Sequence, residues 1–192
     1  MKTMKLLSSL VAVCITILLL YHCTGKTGNP VLTDQQMVQR GEYLVTTIGC
    51  GDCHSPKLTG PMGSEIIPER MLSGYPADRP LEKIDVNVLQ KGWVLFTSDL
   101  TGAVGPWGVS FAANLTSDQS GVGNWTEDNF LRAMKQGKFK GIEGSRDLLP
   151  PMPWANYAKM SDEDVRYVFA YLKTVKPVYN LVPAAIPPTE IK

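Results

Sequence analysis

The sequence is poor in several residue types that mark particular protein classes. Only two histidines and four cysteines occur among 192 residues, and four cysteines are too few for a disulfide-rich scaffold of this length. A formal net charge of +1 gives no basis for a nucleic-acid partner. Charged residues make up 19% and apolar residues 44% of the chain, a composition that excludes a disordered acidic or basic protein. One globular domain of ordinary composition remains.

The N-terminus has the pattern of an export signal. Two lysines lie within residues 1–5, and an uncharged, mostly apolar run fills residues 6–21. The run is short for a permanent membrane span, which takes about 20 apolar residues. Cys23 follows it and resembles the lipidated cysteine of a bacterial lipoprotein, although His22 stands where a small residue is usual. We therefore expect residues 1–22 to be a signal peptide or membrane anchor, and the folded part to be periplasmic or otherwise extracytoplasmic and held at the membrane.

Hydrophobic periodicity predicts three helices in the remaining chain. The first begins at Thr33 and carries apolar residues on one face up to Ile48. Gly41 lies on the same face, where it would permit another helix to approach closely. The second and third helices are predicted over residues 126–136 and 161–175, because Thr or Ser stands at each start and Gly or Pro follows each end.

The stretch from residue 55 to residue 113 differs from the rest of the chain. It is rich in glycine and proline and shows no helical period. Apolar residues alternate over 84–88 and form a run over 93–96, which suggests a short β-hairpin. The predicted organisation is a signal peptide or anchor over 1–22, a linker over 23–32, a folded domain over 33–183 and an extended tail over 184–192.

The chemistry of the chain is concentrated in the motif Cys50-Gly51-Asp52-Cys53-His54. This is C-x-x-C-H, the attachment signature of c-type haem. Two thiols three residues apart lie on one side of a helical turn and can each add to a haem vinyl group. The next residue, His54, then supplies an imidazole nitrogen to the iron. One motif predicts one covalently attached haem c, bound through Cys50 and Cys53.

Two other kinds of site use closely spaced cysteines. A thioredoxin-like thiol pair follows a core strand in a βαβ unit, whereas a helix is predicted to precede this motif. A zinc site needs more cysteine and histidine ligands than the chain provides after residue 22. A non-haem C-x-x-C thiol redox module stays open as an alternative.

A methionine is the expected ligand on the other side of the iron. His22 lies in the export segment, and a thioether is the common weak-field partner of histidine in cytochromes. Met152 stands in Leu-Pro-Pro-Met-Pro-Trp, where three prolines stiffen the loop and reduce the entropy lost on ordering. Met62 is the second candidate, although its flanking glycines would leave it more mobile. We therefore predict iron ligation by His54 and Met152.

Together these segments resemble the class I c-type cytochromes, and the resemblance covers residues 33–183. Residues 40–54 resemble the family's first helix and haem motif, residues 106–138 a middle segment, and residues 148–183 the methionine loop and last helix. The similarity is greatest to the cytochrome c subunits of bacterial membrane-bound alcohol, aldehyde and sugar-acid dehydrogenases. Those subunits often carry several haem motifs, and this chain has one.

The resemblance implies a small all-α domain around one haem, with the stretch after His54 as a long insertion. It also implies that Trp125 lies near the haem and that Gly41 meets Tyr167 or Tyr171 where the first and last helices cross. The expected function is single-electron transfer at the membrane surface, as an electron-transfer protein rather than an enzyme. Its partners would be a dehydrogenase or quinol-oxidising complex and a terminal oxidase, with Cys23 or the N-terminal anchor binding the membrane.

A haem enzyme with an open iron site, such as a peroxidase-like protein, is the alternative to an electron carrier.

Four basic residues could form a rim that docks a partner protein, or simply a solvated helix face. They are Arg132, Lys135, Lys138 and Lys140.

Overall fold

The structure is a computed structural model that describes residues 32–61 and 63–191. The predicted export segment, His22, Cys23 and Met62 lie outside the described residues. Within the described residues, no helix combines the length and the apolar character needed to cross a membrane.

The described chain contains six α-helices and five short strands. The helices are α1 (Asp34–Thr47), α2 (Cys50–His54), α3 (Val86–Gln90), α4 (Glu127–Gln136), α5 (Trp154–Tyr157) and α6 (Asp162–Leu172). The strands are β1 (Lys57–Gly60), β2 (Gly63–Ile66), β3 (Leu95–Phe96), β4 (Gly102–Gly105) and β5 (Gly108–Phe111). Short 3-10 helices cover Pro68–Arg70, Phe139–Gly141 and Pro188–Glu190.

The expectation of an all-α domain is wrong, because the fold is mixed α/β. β1 and β2 form one antiparallel sheet, and β3, β4 and β5 form a second in that order. Both sheets lie in the glycine- and proline-rich insertion, where these residues disfavour long helices and the glycines allow tight strand connections. The resemblance covered the helices well, but it carried no information about the secondary structure of the insertion.

The predicted hairpin over residues 84–96 is only partly correct. Residues 86–90 form helix α3 instead of a strand, because the Asp85 side chain caps the backbone N–H of Asn87 at 2.9 Å. β3 is extended as expected, but it pairs with β4 further along the chain: Leu95 lies opposite Val104, and Phe96 opposite Ala103.

The three predicted long helices begin where their capping residues stand. Thr33 and Thr126 each form a capping box, with Gln36 and Asn129 respectively. The Ser161 hydroxyl accepts a hydrogen bond from the backbone N–H of Asp164 at the start of α6. The helix ends at Leu172, three residues before the predicted end.

The hydrophobic core lies where α1, α4 and α6 meet. Phe130 of α4 stacks on Phe169 of α6 with a ring-centroid distance of 5.1 Å. Gly41 of α1 lies against the backbone of Tyr167, as the resemblance implies, and a β-carbon there would overlap the Tyr167 carbonyl oxygen. The other buried members of this cluster are Leu44, Val45, Leu72, Val122, Met134, Val165, Val168 and Leu172.

The C-terminal segment is extended and crosses the insertion. Ile186 exchanges backbone hydrogen bonds with Val109 of β5 at 2.8 and 3.0 Å. The Asn180 side-chain amide donates to the carbonyl oxygens of Ser73 and Tyr75 at 2.6 and 2.9 Å. These bonds attach the tail to the same insertion that carries both sheets.

Candidate haem-binding site

The C-x-x-C-H motif forms its own short helix, α2, two residues after α1 ends. Gly49 makes the break between the two helices, because its φ of 73° is a left-handed conformation that favours glycine. Cys50 and Cys53 are both free thiols and half-buried, and Cys50 packs against the hydrophobic core. The structure therefore presents both thiols on one helical turn, as the sequence predicts.

His54 is oriented by a backbone carbonyl far along the chain. Its Nδ1 atom lies 2.7 Å from the carbonyl oxygen of Ala113, 59 residues later. Because a carbonyl oxygen only accepts, Nδ1 carries the proton and the Nε2 lone pair is free to bind a metal. Burial lowers the pKa of His54, and the bond to Ala113 opposes this only in part, so the imidazole is neutral at pH 7 and suited to ligate iron.

Further hydrogen bonds attach the end of α2 to the insertion. The His54 carbonyl accepts from the Gly74 N–H at 2.8 Å, and the buried Ser55 hydroxyl accepts from the Leu72 N–H at 2.9 Å. The Lys57 ammonium donates to the carbonyl oxygens of Asp52, Ser55 and Asp99. A cation at these carbonyls stabilises the C-terminal end of the motif helix.

The loop that carries Met152 makes hydrogen bonds or packing contacts with three other parts of the fold. The Leu148 N–H donates to the carbonyl of Gly137 at 2.6 Å, and the Ser110 hydroxyl donates to the carbonyl of Pro150 at 2.6 Å. Met152 itself is half-buried and packs against the same hydrophobic cluster as Cys50.

Helix α5 follows the methionine loop along the chain and contacts the segment just before the haem motif. Tyr157 follows Met152 by five positions, and its hydroxyl lies 3.4 Å from the carbonyl oxygen of Ile48, just before the motif. The pKa of Tyr157 is raised by burial and further by its nearness to Cys50 and Cys53. The structure thus places the helix that follows Met152 beside the cysteine motif, and Cys50 and Met152 pack against the same hydrophobic core.

Trp125 also contacts this core. Its ring lies 6.4 Å from that of Phe130, and it is half-buried against the cluster that Cys50 and Met152 share. The residue expected near the haem therefore packs on the same hydrophobic cluster as Cys50 and Met152.

The two thiols are in an environment unlike that of a reactive cysteine pair. Burial raises the pKa of Cys50 to about 11 and also raises the pKa of Cys53. Thiol redox centres instead have lowered thiol pKa values, which supply the thiolate nucleophile. Among residues 32–61 and 63–191, no group of three or more His, Cys, Asp and Glu side chains is placed to hold a metal ion.

The basic residues expected at a docking rim are mostly engaged locally. Arg132 donates to the Gly141 carbonyl at 2.6 Å, Lys135 pairs with Asp162 at 3.1 Å, and Lys138 pairs with Asp147 at 2.6 Å. These interactions favour structural and solvated roles for the cluster.

Sequence reasoning missed three residues that shape the site. It did not identify the Ala113 carbonyl as the acceptor of the Nδ1–H of His54. It also gave no role to Lys57 or Ser110. A backbone acceptor has no side-chain signature, and the bonds of Lys57 and Ser110 depend on how the insertion folds back.

Comparison with known proteins finds relatives among the subunits of dehydrogenases. No family model matches the chain. The gluconate 2-dehydrogenase cytochrome c subunit of Pantoea cypripedii is 28% identical over 152 residues, which cover 77% of this chain and 26% of that protein. The cytochrome c subunit of alcohol dehydrogenase (quinone) from Gluconobacter oxydans (strain 621H) is 27% identical over 147 residues, which cover 76% of this chain and 23% of the relative.

The fructose dehydrogenase cytochrome subunit of Gluconobacter japonicus is 26% identical over 151 residues, or 78% of this chain and 24% of the relative. These similarities support a cytochrome c-like family. The chain spans about a quarter of the length of these relatives. Its described residues fit a covalent haem, because two free thiols share a turn with an imidazole whose Nε2 is available.

Proposed function

We propose that this chain carries one covalently attached haem c and transfers single electrons, with iron ligated by His54 and Met152. The observation that carries the proposal is the 2.7 Å contact between His54 Nδ1 and the Ala113 carbonyl, which leaves Nε2 as a neutral ligand atom beside Cys50 and Cys53. The cytochrome c relatives imply a covalent haem. The position of the motif before the methionine loop supports a class I arrangement.

Each site residue has a separate task in this function. Cys50 and Cys53 attach the porphyrin, so that it cannot dissociate in a dilute compartment. His54 is oriented by Ala113, and Met152 is presented by a proline-stiffened loop. The bound haem supplies one-electron redox chemistry at its iron. The surrounding apolar side chains limit the access of water and so influence the reduction potential.

The alternatives receive less support from the structure. A thiol redox module is disfavoured because burial raises the pKa of both thiols. A peroxidase-like enzyme needs an iron position open to substrate, and the proposed ligation by both His54 and Met152 would fill that position. We therefore propose an electron-transfer subunit that performs no substrate chemistry of its own.

The relatives also indicate the setting of the electron transfer. They are cytochrome subunits of dehydrogenases, and a dehydrogenase or quinol-oxidising complex is accordingly our proposed electron donor, with a terminal oxidase as acceptor. The N-terminal sequence supports a periplasmic or otherwise extracytoplasmic location. Lipid at Cys23, or the anchor itself, would hold the protein at the membrane surface.

Haem content under denaturing conditions tests the proposal. The full chain is expressed with a cytochrome c maturation system, denatured, and assayed for covalent haem as the pyridine complex. We expect one haem per chain and, in the folded protein, a six-coordinate low-spin spectrum. The Cys50→Ser/Cys53→Ser double variant should be colourless after denaturation, whereas the control Cys23→Ser should keep its haem.

Two other results would each contradict part of the proposal. A colourless denatured wild type would rule out the covalent haem. A high-spin spectrum that changes on addition of cyanide would indicate an open iron site and favour the enzyme alternative. Mass spectrometry of the mature N-terminus would show whether Cys23 carries lipid, and co-purification from membranes would identify the partner complex.

A further inference from the structure

One hydroxyl group connects the insertion to the methionine loop. Ser110 lies on β5, and its Oγ atom is 2.6 Å from the carbonyl oxygen of Pro150, two residues before Met152. The indole N–H of Trp107 lies 3.1 Å from the same Oγ atom and donates to it. The carbonyl of Ala103, at 3.4 Å, is the more distant acceptor. The single hydroxyl proton therefore goes to Pro150, and the indole satisfies an oxygen lone pair.

The same segment also reaches the opposite ligand. Three residues after Ser110, the carbonyl of Ala113 accepts the Nδ1–H of His54. The segment 108–113 is anchored at several points: β5 pairs with β4, Val109 exchanges hydrogen bonds with Ile186 of the tail, and the Ala112 N–H donates to the Thr101 carbonyl at 2.8 Å. A single anchored segment of the insertion thus bonds to His54 directly and to the loop of Met152.

We propose that Ser110 is a positioning residue that holds the Met152 loop in place for iron ligation. The inference rests on the proposed function and assigns the insertion a role in it. A thioether is a weak ligand, so the equilibrium between bound and detached methionine depends on how firmly the protein fixes its loop. Pro150 and Pro151 are exposed, and the Ser110 hydroxyl is what restrains the Pro150 carbonyl from the protein side.

The bond between Ser110 and Pro150 should affect ligation more than folding. Pro150 is exposed, so water can satisfy its carbonyl when the serine hydroxyl is removed. The backbone restraint is lost in that case, although the hydrogen-bonding capacity of the carbonyl is not. Donation from Trp107 polarises the hydroxyl and strengthens its bond to Pro150.

The test uses the full-length haem-loaded protein and the Ser110→Ala variant. Added imidazole serves as the probe, because it competes with Met152 for the oxidised iron. We expect imidazole to bind Ser110→Ala about fivefold more tightly than the wild type, which is the equilibrium effect of one neutral hydrogen bond. The weak far-red methionine–iron band should also lose intensity, while the covalent haem content stays unchanged.

Matched variants separate positioning from general destabilisation. Ser110→Thr keeps the hydroxyl and should behave like the wild type. Ser64→Ala removes an exposed serine of the β1–β2 sheet and should change neither readout. Trp107→Phe removes the indole donor, together with part of the ring, but leaves the Ser110 hydroxyl in place, and it should shift imidazole affinity in the same direction by about twofold. Thermal unfolding is measured for each variant.

Definite results would overturn the inference. If folded Ser110→Ala matched the wild type in both imidazole affinity and band intensity, Ser110 would have no positioning role. If Ser110→Ala failed to fold, an unchanged Trp107→Phe would overturn the inference equally. A wild type that lacks covalent haem would instead refute the proposed function, so the two failures are distinguishable.

Discussion

Gly41 on α1 lies directly against the backbone of Tyr167 on α6, and the two helices leave no space for a side chain between them. A β-carbon at Gly41 would overlap the Tyr167 carbonyl oxygen and lie 2.8 Å from the Tyr171 β-carbon. α1 leads into the haem motif after two residues. The close crossing therefore fixes the position of Cys50 relative to the last helix, α6.

Gly41→Ala should destabilise the fold strongly. The added methyl group must push apart two backbones, and overpacking of this kind costs about 1–3 kcal/mol or more. Chemical denaturation of the haem-loaded protein measures the loss. Gly60→Ala is the control, since a β-carbon there would have the Gly63 carbonyl oxygen as its nearest neighbour at 3.8 Å, an ordinary contact. Equal stability of the two variants would contradict the close helix crossing.

Met152→Ala should abolish the far-red methionine–iron band and lower the reduction potential. Methionine ligation raises the potential relative to other axial ligands, so its loss acts in the opposite direction. Absorption spectroscopy and redox titration measure both effects. Met71→Ala, at a side chain that is 39% exposed, and Met62→Ala should leave both unchanged. Loss of the band in Met62→Ala alone would show that the ligand assignment is wrong.

Gly137→Ala should disturb the methionine loop as well as α4. Gly137 ends α4 in a left-handed conformation with φ of 67°, and a β-carbon there would overlap the Trp154 ring, two residues after Met152. We expect a cost of about 1–2 kcal/mol for the conformation and a further 1–3 kcal/mol, roughly, for the overlap.

The matched control for this change is Gly144→Ala. Gly144 has a similar φ of 73° but has no atom within 4 Å of a β-carbon, so it should incur only the conformational cost. Denaturation and the far-red band are recorded for both variants. The placement of Trp154 would be refuted if Gly137→Ala were no less stable than Gly144→Ala and kept a full band.

Asp99 should make the insertion sensitive to acid. Its side chain is 2% exposed and pairs with Arg79 at 2.7 Å. Although burial opposes ionisation, hydrogen bonds from Arg79, Thr101 and Thr97 hold the pKa of Asp99 far below its usual range. A carboxylate in an unfolded chain titrates near about 3.9, so the stabilising contribution is complete above about pH 4 and is lost as the pH falls toward the folded pKa.

Asp99→Asn removes the charge but keeps an oxygen that accepts from Thr97 and Thr101. We expect a loss of about 2–3 kcal/mol at pH 7, because charge-assisted hydrogen bonds become neutral ones. Unfolding at pH 7 and pH 3 should show that the wild type loses more stability on acidification than the variant. Asp147→Asn, which disrupts an exposed ion pair, should cost less than about 1 kcal/mol. An equal acid response in wild type and Asp99→Asn would contradict the role of Asp99.

The helical part of the fold could be predicted because its signals are local. Thr33, Thr126 and Ser161 cap the helices that the sequence assigns to them, and Gly137 ends α4 as expected. The prediction failed at residues 86–90, where alternating apolar residues indicated a strand. A five-residue segment that is mostly exposed has too little periodicity to distinguish a strand from a helical turn.

By itself the sequence determined the cysteine–histidine motif, the helices that flank it and the candidate methionine in its proline-rich loop. These features depend on residue type and on spacing over a few positions, which the chain order fixes. Only the tertiary structure decided that the Ala113 carbonyl accepts a hydrogen bond from His54, that Ser110 donates a hydrogen bond to the methionine loop and that the insertion forms two sheets. Those contacts join residues 40 or more positions apart or depend on strand pairing, so they exist only once the insertion has folded back over the motif.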